Sequence, residues 1–374
     1  MLALSAALYA YCAAYLLSSL VNNSFARDAT HLLSLATFLF FPLSYSTWSV
    51  IDKRTLVRTI KLASAAACWG ALGLAIIQFY WLGMRAEGGA GNAIIFASVV
   101  CLSAMICLSA AVSTTPRLRV LFIGAAIAGT IAVLYSGTRI VWSALPVIAM
   151  TVLLINRRNL KIRRPIRFAL ILSAIAVMIA IIGFQIVPSR TEQLFSNWTA
   201  LDERGDYSTN LGLRVALWHL GYTSFSQMPI FGHGMQATGS IIRQGLHDKF
   251  GLDFAFSHFH NGFLTTLVEA GIVGAAALAA VFLTATKNAA SVLRNSIDPN
   301  ERFGATMIVI TVMTYLISGM TGIIAGHDIL DSLLMVILVT GTYLASGKRS
   351  PLPSEQIVPQ RVDQTVNSQS GTIG

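Results

Sequence analysis

Apolar runs of about 20 residues recur along this chain, and no other feature limits its possible folds so strongly. An α-helix of that length crosses the roughly 30 Å hydrocarbon core of a membrane. Only 11% of the 374 residues are charged, whereas soluble domains carry about 25%. The runs are continuously apolar rather than alternating, which argues against a β-barrel. The sequence therefore predicts an all-α polytopic membrane protein.

Hydropathy predicts about ten membrane-spanning helices in this chain. They are Met1–Val21, His31–Ile51, Ile60–Gly83, Ala93–Ser113, Val120–Tyr135, Arg139–Ile155, Ile166–Pro188, Gly262–Thr286, Phe303–Ile323 and Ile329–Ala345. Met1–Val21 lacks the basic start and cleavage site of a signal peptide and is interpreted as a retained span. The chain then divides into about seven N-terminal spans (1–188), a long loop (189–260), about three C-terminal spans (261–346) and a disordered tail (347–374).

The placement of Lys and Arg predicts how these spans are oriented. Of the 26 Lys and Arg residues, 18 fall on the side that holds both termini. The positive-inside rule makes that side cytoplasmic and places the loop 189–260 outside. Six basic residues between Arg157 and Arg167 are interpreted as a topology anchor that also contacts anionic lipid. The net charge of +10 therefore needs no nucleic-acid partner.

The cysteines give no sign of a disulfide framework. All four, Cys12, Cys68, Cys101 and Cys107, fall within predicted spans rather than in the outward loop. Disulfide-stapled domains carry their cysteines in the part of the chain that faces an oxidising compartment.

The outward loop carries five of the seven histidines, namely His219, His233, His247, His258 and His260. Leu211–Phe225 has apolar residues at helical spacing, with Thr209 and Asn210 as candidate N-caps. Pro229, Gly232 and Gly234 then predict a turn. We expect an amphipathic helix on the membrane surface, followed by a tight turn that reverses the chain direction. Its apolar stripe serves either plain packing or interfacial anchoring.

His260 stands where this polar loop meets the next apolar helix, so it is a candidate proton-transfer group. Arg139 follows a Ser136-Gly137-Thr138 turn at the same outer side. Its guanidinium either snorkels to lipid headgroups or binds a phosphate through its planar fork. Arg214 lies in the first part of the loop helix.

Glu269 lies nine residues after His260, about two and a half helical turns, so the two side chains point to opposite faces. Glu269 is therefore predicted to be structural, together with Gly271 and Gly274, whose spacing favours close helix approach. The His258-Phe259-His260 pair lacks neighbouring ligands at the spacing of a metal site. His327, Asp328 and Asp331 either line the same outward cavity or cap the last helix.

Three stretches of this chain resemble the O-antigen ligase and polymerase family of bacterial envelope glycosyltransferases. They are Ser136–Arg139, Gly212–Gly234, and His260-Asn261 followed by Gly271–Gly274. The resemblance implies a GT-C-like, metal-independent, inverting glycosyltransferase that needs no cofactor. Its donor would be a glycan on undecaprenyl pyrophosphate at the periplasmic face of the inner membrane of a Gram-negative bacterium. Its acceptor would be the lipid A core for a ligase, as in lipopolysaccharide biosynthesis, or a second lipid-linked glycan for a polymerase.

The chemistry of such a transfer suits the singled-out residues. Displacing a pyrophosphate from an anomeric carbon develops negative charge on the leaving group, which Arg139 and Arg214 would stabilise. His260 would accept the proton of the attacking hydroxyl as general base. The remaining candidates for substrate binding are Asn261, His258, Arg243, Trp218 and His233.

The ligase interpretation is favoured by the spacing from His260 to Gly274, and the polymerase is the first alternative. A protein O-oligosaccharyltransferase and a glycolipid transporter are weaker alternatives. A transporter predicts ionisable residues near mid-membrane in several spans, whereas here they gather at the outer surface.

Overall fold

The computed structural model describes residues 1–157 and 188–347, with isolated positions at 159, 160, 166 and 170. The predicted span Ile166–Pro188, most of the predicted basic anchor and the predicted disordered tail beyond residue 347 lie outside the described residues. Every regular element within the described part is helical. The all-α prediction is therefore confirmed for that part of the chain.

The helices follow one another closely along the described chain. They are α1 (Leu2–Val21), α2 (Phe25–Leu35), α3 (Phe41–Trp48), α4 (Lys53–Ile76), α5 (Ala93–Val112), α6 (Pro116–Tyr135), α7 (Arg139–Ile155), α8 (Pro188–Arg204), α9 (Asn210–Gln227), α10 (Ala237–Phe250), α11 (Gly262–Asn295), α12 (Pro299–Gly319) and α13 (Asp328–Leu344). A 3-10 turn, Ala36–Phe40, joins α2 to α3, and a π turn, Ile77–Trp81, extends α4.

Six helices in the described residues are long and apolar enough to cross a membrane. They are α1, α4 with its π turn, α5, α6, α11 and α12, and each contains or overlaps a predicted span. Helices α7 and α13 correspond to two further predicted spans but have 17 residues each. The protein is thus a multi-pass membrane protein, and the predicted count of ten spans is not established.

The predicted span His31–Ile51 is not one continuous α-helix. The chain there forms the end of α2, the 3-10 turn and α3. Pro42 lies at the start of α3, and it has no N–H to donate to the preceding turn. The apolar run is long enough for a span, but the proline interrupts its α-helical hydrogen bonding. Hydropathy alone does not register that interruption.

Helix α12 lies centrally in the bundle and packs against α5, α7, α11 and α13. Small residues bring α4, α5 and α6 together. A Cβ on Gly129 would lie 2.8 Å from the Cys68 sulfur and 2.9 Å from the Cβ of Ala104. Such close approach maximises van der Waals contact where water cannot drive association. It also explains why the Cys68 thiol is fully buried.

The long loop contains a small core of its own. Helices α9 and α10 pack together and onto the start of α11. The fully buried members of this core include Ala216, Leu217, Ile242, Leu246 and Phe259. The loop is therefore a folded unit that rests on the membrane helices.

Helix α9 begins at the predicted cap, because the Thr209 hydroxyl accepts a hydrogen bond from the Gly212 N–H at 3.1 Å. The predicted apolar stripe is not its buried face. Trp218 and Tyr222 of that stripe are 41% and 68% exposed, whereas Leu217 and Leu220 are buried. Plain packing is thus the wrong interpretation for these two aromatic residues, and interfacial anchoring is the interpretation that remains.

Helix α11 is interrupted at Gly271, where the turn of residues 229–234 is inserted into its hydrogen-bond ladder. Gly271 has φ +64° and ψ −163°. The carbonyls of Val268 and Glu269 accept hydrogen bonds from the N–H groups of His233 (2.8 Å) and Gly234 (3.0 Å). Further along, the N–H groups of residues 272 and 273 donate to the carbonyls of residues 229 and 230 at 2.8 and 3.3 Å. We call this four-bond junction the splice.

The splice requires glycine at position 271, so Gly271→Ala should destabilise the protein. Its φ and ψ are confined almost entirely to glycine and cost other residues about 1–3 kcal/mol. A Cβ there would also collide with the backbone of Ile230. We expect the midpoint of thermal unfolding to fall by about 2–5 °C.

Gly73→Ala is the matched control for this substitution. Gly73 lies within α4, and its added Cβ meets nothing within 4 Å. Alanine is favoured over glycine inside a helix by about 1 kcal/mol, so this variant should be at least as stable as the parent. Equal midpoints for Gly271→Ala and the parent would contradict the role given to the splice.

Candidate active site

The segment that carries His258 and His260 is held by the residue between them. Phe259 is fully buried in the loop core, and its N–H donates to the Thr265 hydroxyl at 3.3 Å. The rings of His258 and His260 lie 4.6 Å apart, and Phe256 lies 5.1 Å from His260. His260 has φ +49°, which only a few per cent of non-glycine residues adopt. The surrounding packing therefore fixes this histidine in a strained backbone conformation.

Asn261 and Gly262 join His260 directly to α11. The Asn261 Oδ1 accepts hydrogen bonds from the N–H groups of Phe263 and Leu264, both at 3.1 Å. The amide oxygen of Asn261 thus caps the helix. A Cβ on Gly262 would lie 2.8 Å from the backbone nitrogen of Ile324. The segment before α13 therefore packs against the histidine segment.

Arg139 is the first residue of α7, and a tight turn positions it. Gly137 has φ +67°, and the Ser136 hydroxyl accepts a hydrogen bond from the Thr138 N–H at 3.1 Å. The indole of Trp142 donates to the Val133 carbonyl at 3.0 Å and thereby joins the two helices that flank the turn. The Arg139 side chain is exposed at this end of the bundle.

Arg139, Arg214 and His260 are electrostatic neighbours although they are distant in sequence. Arg214 is solvent-exposed on α9, yet surrounding protein atoms and the charge of Arg139 lower its pKa. Burial and the charge of Arg214 lower the pKa of His260. The structure thus brings the three residues into one positively charged cluster, in which the His260 imidazole is neutral at neutral pH.

Two more histidines adjoin this cluster. Burial, with the charges of His260 and His327, lowers the pKa of His258 to about 4. His327 precedes α13, and its Nδ1 is buried with no hydrogen-bond partner among the described residues. A buried polar atom without a partner costs about 1–3 kcal/mol, so a ligand that bonded Nδ1 would recover this energy. His327 therefore lies beside the site, while Asp331 accepts hydrogen bonds from the Gly326 N–H at 3.1 and 3.0 Å.

The other predicted substrate-binding residues occupy different environments. Arg243 is exposed on α10, and Trp218 is exposed on α9. The His233 Nε2 donates to the Ser224 carbonyl at 2.7 Å, so this side chain fastens the turn to the end of α9. His233 is therefore held in a structural contact, which occupies its Nε2. The helix cap likewise occupies the Oδ1 of Asn261, so neither atom is available to bind a substrate.

Glu269 points away from the histidines and into the contact between α1 and the loop. Its carboxylate accepts hydrogen bonds from the Tyr15 hydroxyl at 3.3 Å and the Thr238 hydroxyl at 3.1 Å. Its backbone carbonyl also accepts from the Ser18 hydroxyl at 2.7 Å. Gly274 follows one turn after the kink, and a Cβ there would meet Ala270 of the same helix.

Residues 123–279 match the O-Antigen ligase family. The resemblance predicted from the sequence is therefore confirmed over this segment, which contains Arg139, Arg214 and His260. The match supports a glycosyltransferase of the ligase or polymerase type.

A curated relative matches part of the chain. A stretch of 152 residues is 27% identical to a protein of Haemophilus influenzae that is described only as uncharacterized. The stretch covers 40% of this chain and 38% of that relative. The chain thus spans well under half the length of this relative.

The cluster makes a prediction about the proton affinity of His260. Because the guanidinium of Arg214 repels a proton on His260, Arg214→Gln should raise the pKa of His260 towards its ordinary value of about 6.5. The pH dependence of carbethoxylation at His260, read by mass spectrometry, measures this pKa without any substrate. Arg58→Gln removes the same charge near the start of α4, at the other end of the bundle, and should leave the His260 titration unchanged. An unchanged pKa of His260 in Arg214→Gln would contradict the electrostatic coupling between these two residues.

Proposed function

We propose that this protein is an O-antigen ligase-like, inverting glycosyltransferase. It moves a glycan from undecaprenyl pyrophosphate to the lipid A core at the periplasmic face of the bacterial inner membrane. One observation carries this proposal. Two arginines and a neutral histidine converge at one end of the bundle, within the segment that matches the O-Antigen ligase family.

The two arginines stabilise the leaving group of the proposed reaction. As the glycosidic C–O bond breaks, the bonding electrons go to the oxygen of the pyrophosphate. Arg139 and Arg214 present guanidinium groups to this oxygen and its neighbours and stabilise the charge that develops there. A divalent metal ion often stabilises a phosphate leaving group in enzymes. Here two fixed guanidinium cations perform that task, so we propose a metal-independent transfer.

His260 activates the acceptor hydroxyl, which is the nucleophile of the proposed reaction. Its lowered pKa keeps the imidazole neutral, so a ring nitrogen can accept the proton of the acceptor hydroxyl as that oxygen attacks the anomeric carbon. Attack from the face opposite the leaving group inverts the anomeric configuration. Both lipid tails stay in the bilayer, because Arg139 and His260 stand at the ends of membrane helices.

The polymerase is the alternative, because the matching family and the same three residues serve either acceptor. Deleting the gene in its host and separating the surface polysaccharide by gel electrophoresis distinguishes them. Loss of a ligase leaves the lipid A core bare and the long chains on the lipid carrier. Loss of a polymerase leaves cores that carry single repeats. Unchanged polysaccharide would exclude both activities.

Purified His260→Ala should lose transfer by about a hundredfold to ten-thousandfold, the usual contribution of a general base. Arg139→Ala and Arg214→Ala should lose transfer while remaining folded. His247→Ala is the matched control, since His247 is exposed and pairs with Asp253 at 2.8 Å. Full activity of His260→Ala would refute its role as base, and loss of transfer on chelation would refute metal independence.

A further inference from the structure

The first turn of α2 contains a buried carboxylate that the reaction does not use. Asp28 is fully buried. Its carboxylate accepts five hydrogen bonds, from the Ser19 hydroxyl (2.7 Å), the Ser24 hydroxyl (2.6 Å), the Arg27 Nε (3.2 Å), the Met235 N–H (3.2 Å) and the Gln236 N–H (3.1 Å). A buried charge costs several kcal/mol unless it is hydrogen-bonded in this way. The site is therefore built to hold a carboxylate.

Two of these donors belong to the outward loop. Met235 and Gln236 lie at the start of α10, where backbone N–H groups carry no helical partner and the helix dipole favours an anion. Gly234 lies just before them, and a Cβ there would lie 2.6 Å from the Ser24 hydroxyl. The backbone of the loop thus seats directly on the turn that Asp28 organises.

Neighbouring side chains of α1 and α2 extend this contact along the splice. The Asn22 side-chain amide donates to the Gly232 carbonyl at 2.9 Å. The Arg27 guanidinium donates to the His233 carbonyl at 3.3 Å. The side-chain amide of Gln236 in turn donates to the Thr30 hydroxyl at 3.0 Å. We call residues 18–31 with these bonds the N-terminal clamp. It lies wholly outside the segment that matches the family.

The clamp reaches the proposed active site through α10. Helix α10 packs on α9, which carries Arg214, and Leu220 fits so closely against Gly245 that a Cβ there would collide with it. Phe259, which holds His260, belongs to the same small core. Arg139, by contrast, comes from the membrane helix α7. The relative placement of Arg214 and His260 against Arg139 therefore depends on how the loop unit is seated.

We propose that Asp28 is a positioning residue, which seats α10 on the N-terminal clamp and so holds Arg214 and His260 opposite Arg139. This rests on the proposed glycosyl transfer for its catalytic consequence, although the seating itself does not. The Asp28 carboxylate touches no substrate. It acts through the backbone of Met235 and Gln236.

The test is Asp28→Asn in the full-length protein. An amide keeps one acceptor oxygen and turns the other position into a donor. The hydroxyls of Ser19 and Ser24 can rotate to accept from it, but a backbone N–H cannot. We expect Met235 or Gln236 to lose protection in hydrogen–deuterium exchange, while the amides of α12 keep theirs.

Asp298→Asn is the matched control. Asp298 caps α12 at the opposite end of the bundle by accepting from the Asn300 and Glu301 N–H groups at 2.8 and 3.0 Å.

The catalytic readout separates positioning from simple loss of folded protein. Misplacing a reacting group by about 1 Å can cost a hundredfold in rate, so kcat of Asp28→Asn should fall between about tenfold and a hundredfold. The acidic limb of its pH–rate profile should also move to higher pH, because a loosely seated loop admits water to His260 and weakens the burial that lowers the pKa of its imidazole. A reduced amount of active enzyme lowers kcat without moving that limb.

Each outcome bears on one proposal. Exchange at Met235 and Gln236 that equals the parent, or an unmoved limb with unchanged kcat, overturns the positioning role of Asp28. If the parent protein transfers no glycan, the proposed function fails. The exchange data and the carbethoxylation titration of His260 still decide whether Asp28 seats the loop, since neither needs a substrate.

Discussion

At Gly271 helix α11 leaves its own hydrogen bonds unmade, and the turn of residues 229–234 makes them instead. The carbonyl of Val268 would otherwise stand unpaired at the membrane, where an unsatisfied group costs several kcal/mol, and that of Glu269 would keep only the Ser18 hydroxyl as a donor. The splice removes that cost, and by doing so it fastens the loop that contains α9 and α10 to a membrane helix. Arg214, on the helix before the turn, and His260, before α11, both take their positions from this junction.

Around the splice, polar groups are arranged so that a largely apolar protein can carry a charged site at one end. The carboxylates point inward and are fully hydrogen-bonded, Glu269 to Tyr15 and Thr238 and Asp28 to the clamp. The side chains of Arg139 and Arg214 are exposed to solvent. No carboxylate of the described residues is among the causes that shift the pKa of Arg214 or His260, so the cluster is positively charged and favours an anionic ligand.

The sequence predicted the parts of the site that depend on residue type and local spacing. A histidine at a loop–helix junction, an arginine after a Ser-Gly-Thr turn and a cap at Thr209 are all local signals. It could not predict that Gly271 receives a loop rather than a neighbouring helix, because that contact joins positions about 40 residues apart. It also chose the wrong face of α9, since Trp218 and Tyr222 look apolar in a periodicity but lie exposed.

The N-terminal helices were the least informative part of the sequence, because any apolar helix looks like any other in a hydropathy profile. Asp28 carried no motif and was passed over, although it has no exposed surface at all. Its importance comes from backbone N–H groups more than 200 residues away. A buried acid in an otherwise apolar region is the signal that would have pointed to it, because such an acid needs several donors to be tolerated.

The position of His260 just before the N-terminus of α11 has a consequence for the order of events in the proposed transfer. A protonated imidazole there would face a helix N-terminus as well as two guanidinium groups, and all three are positive. In the empty site His260 is thus a weak base. A bound pyrophosphate would cancel much of that field and strengthen the base while it occupies the site. Deprotonation of the acceptor would then be coupled to the presence of the donor, which protects the enzyme from activating a hydroxyl, or water, when there is no glycan to transfer.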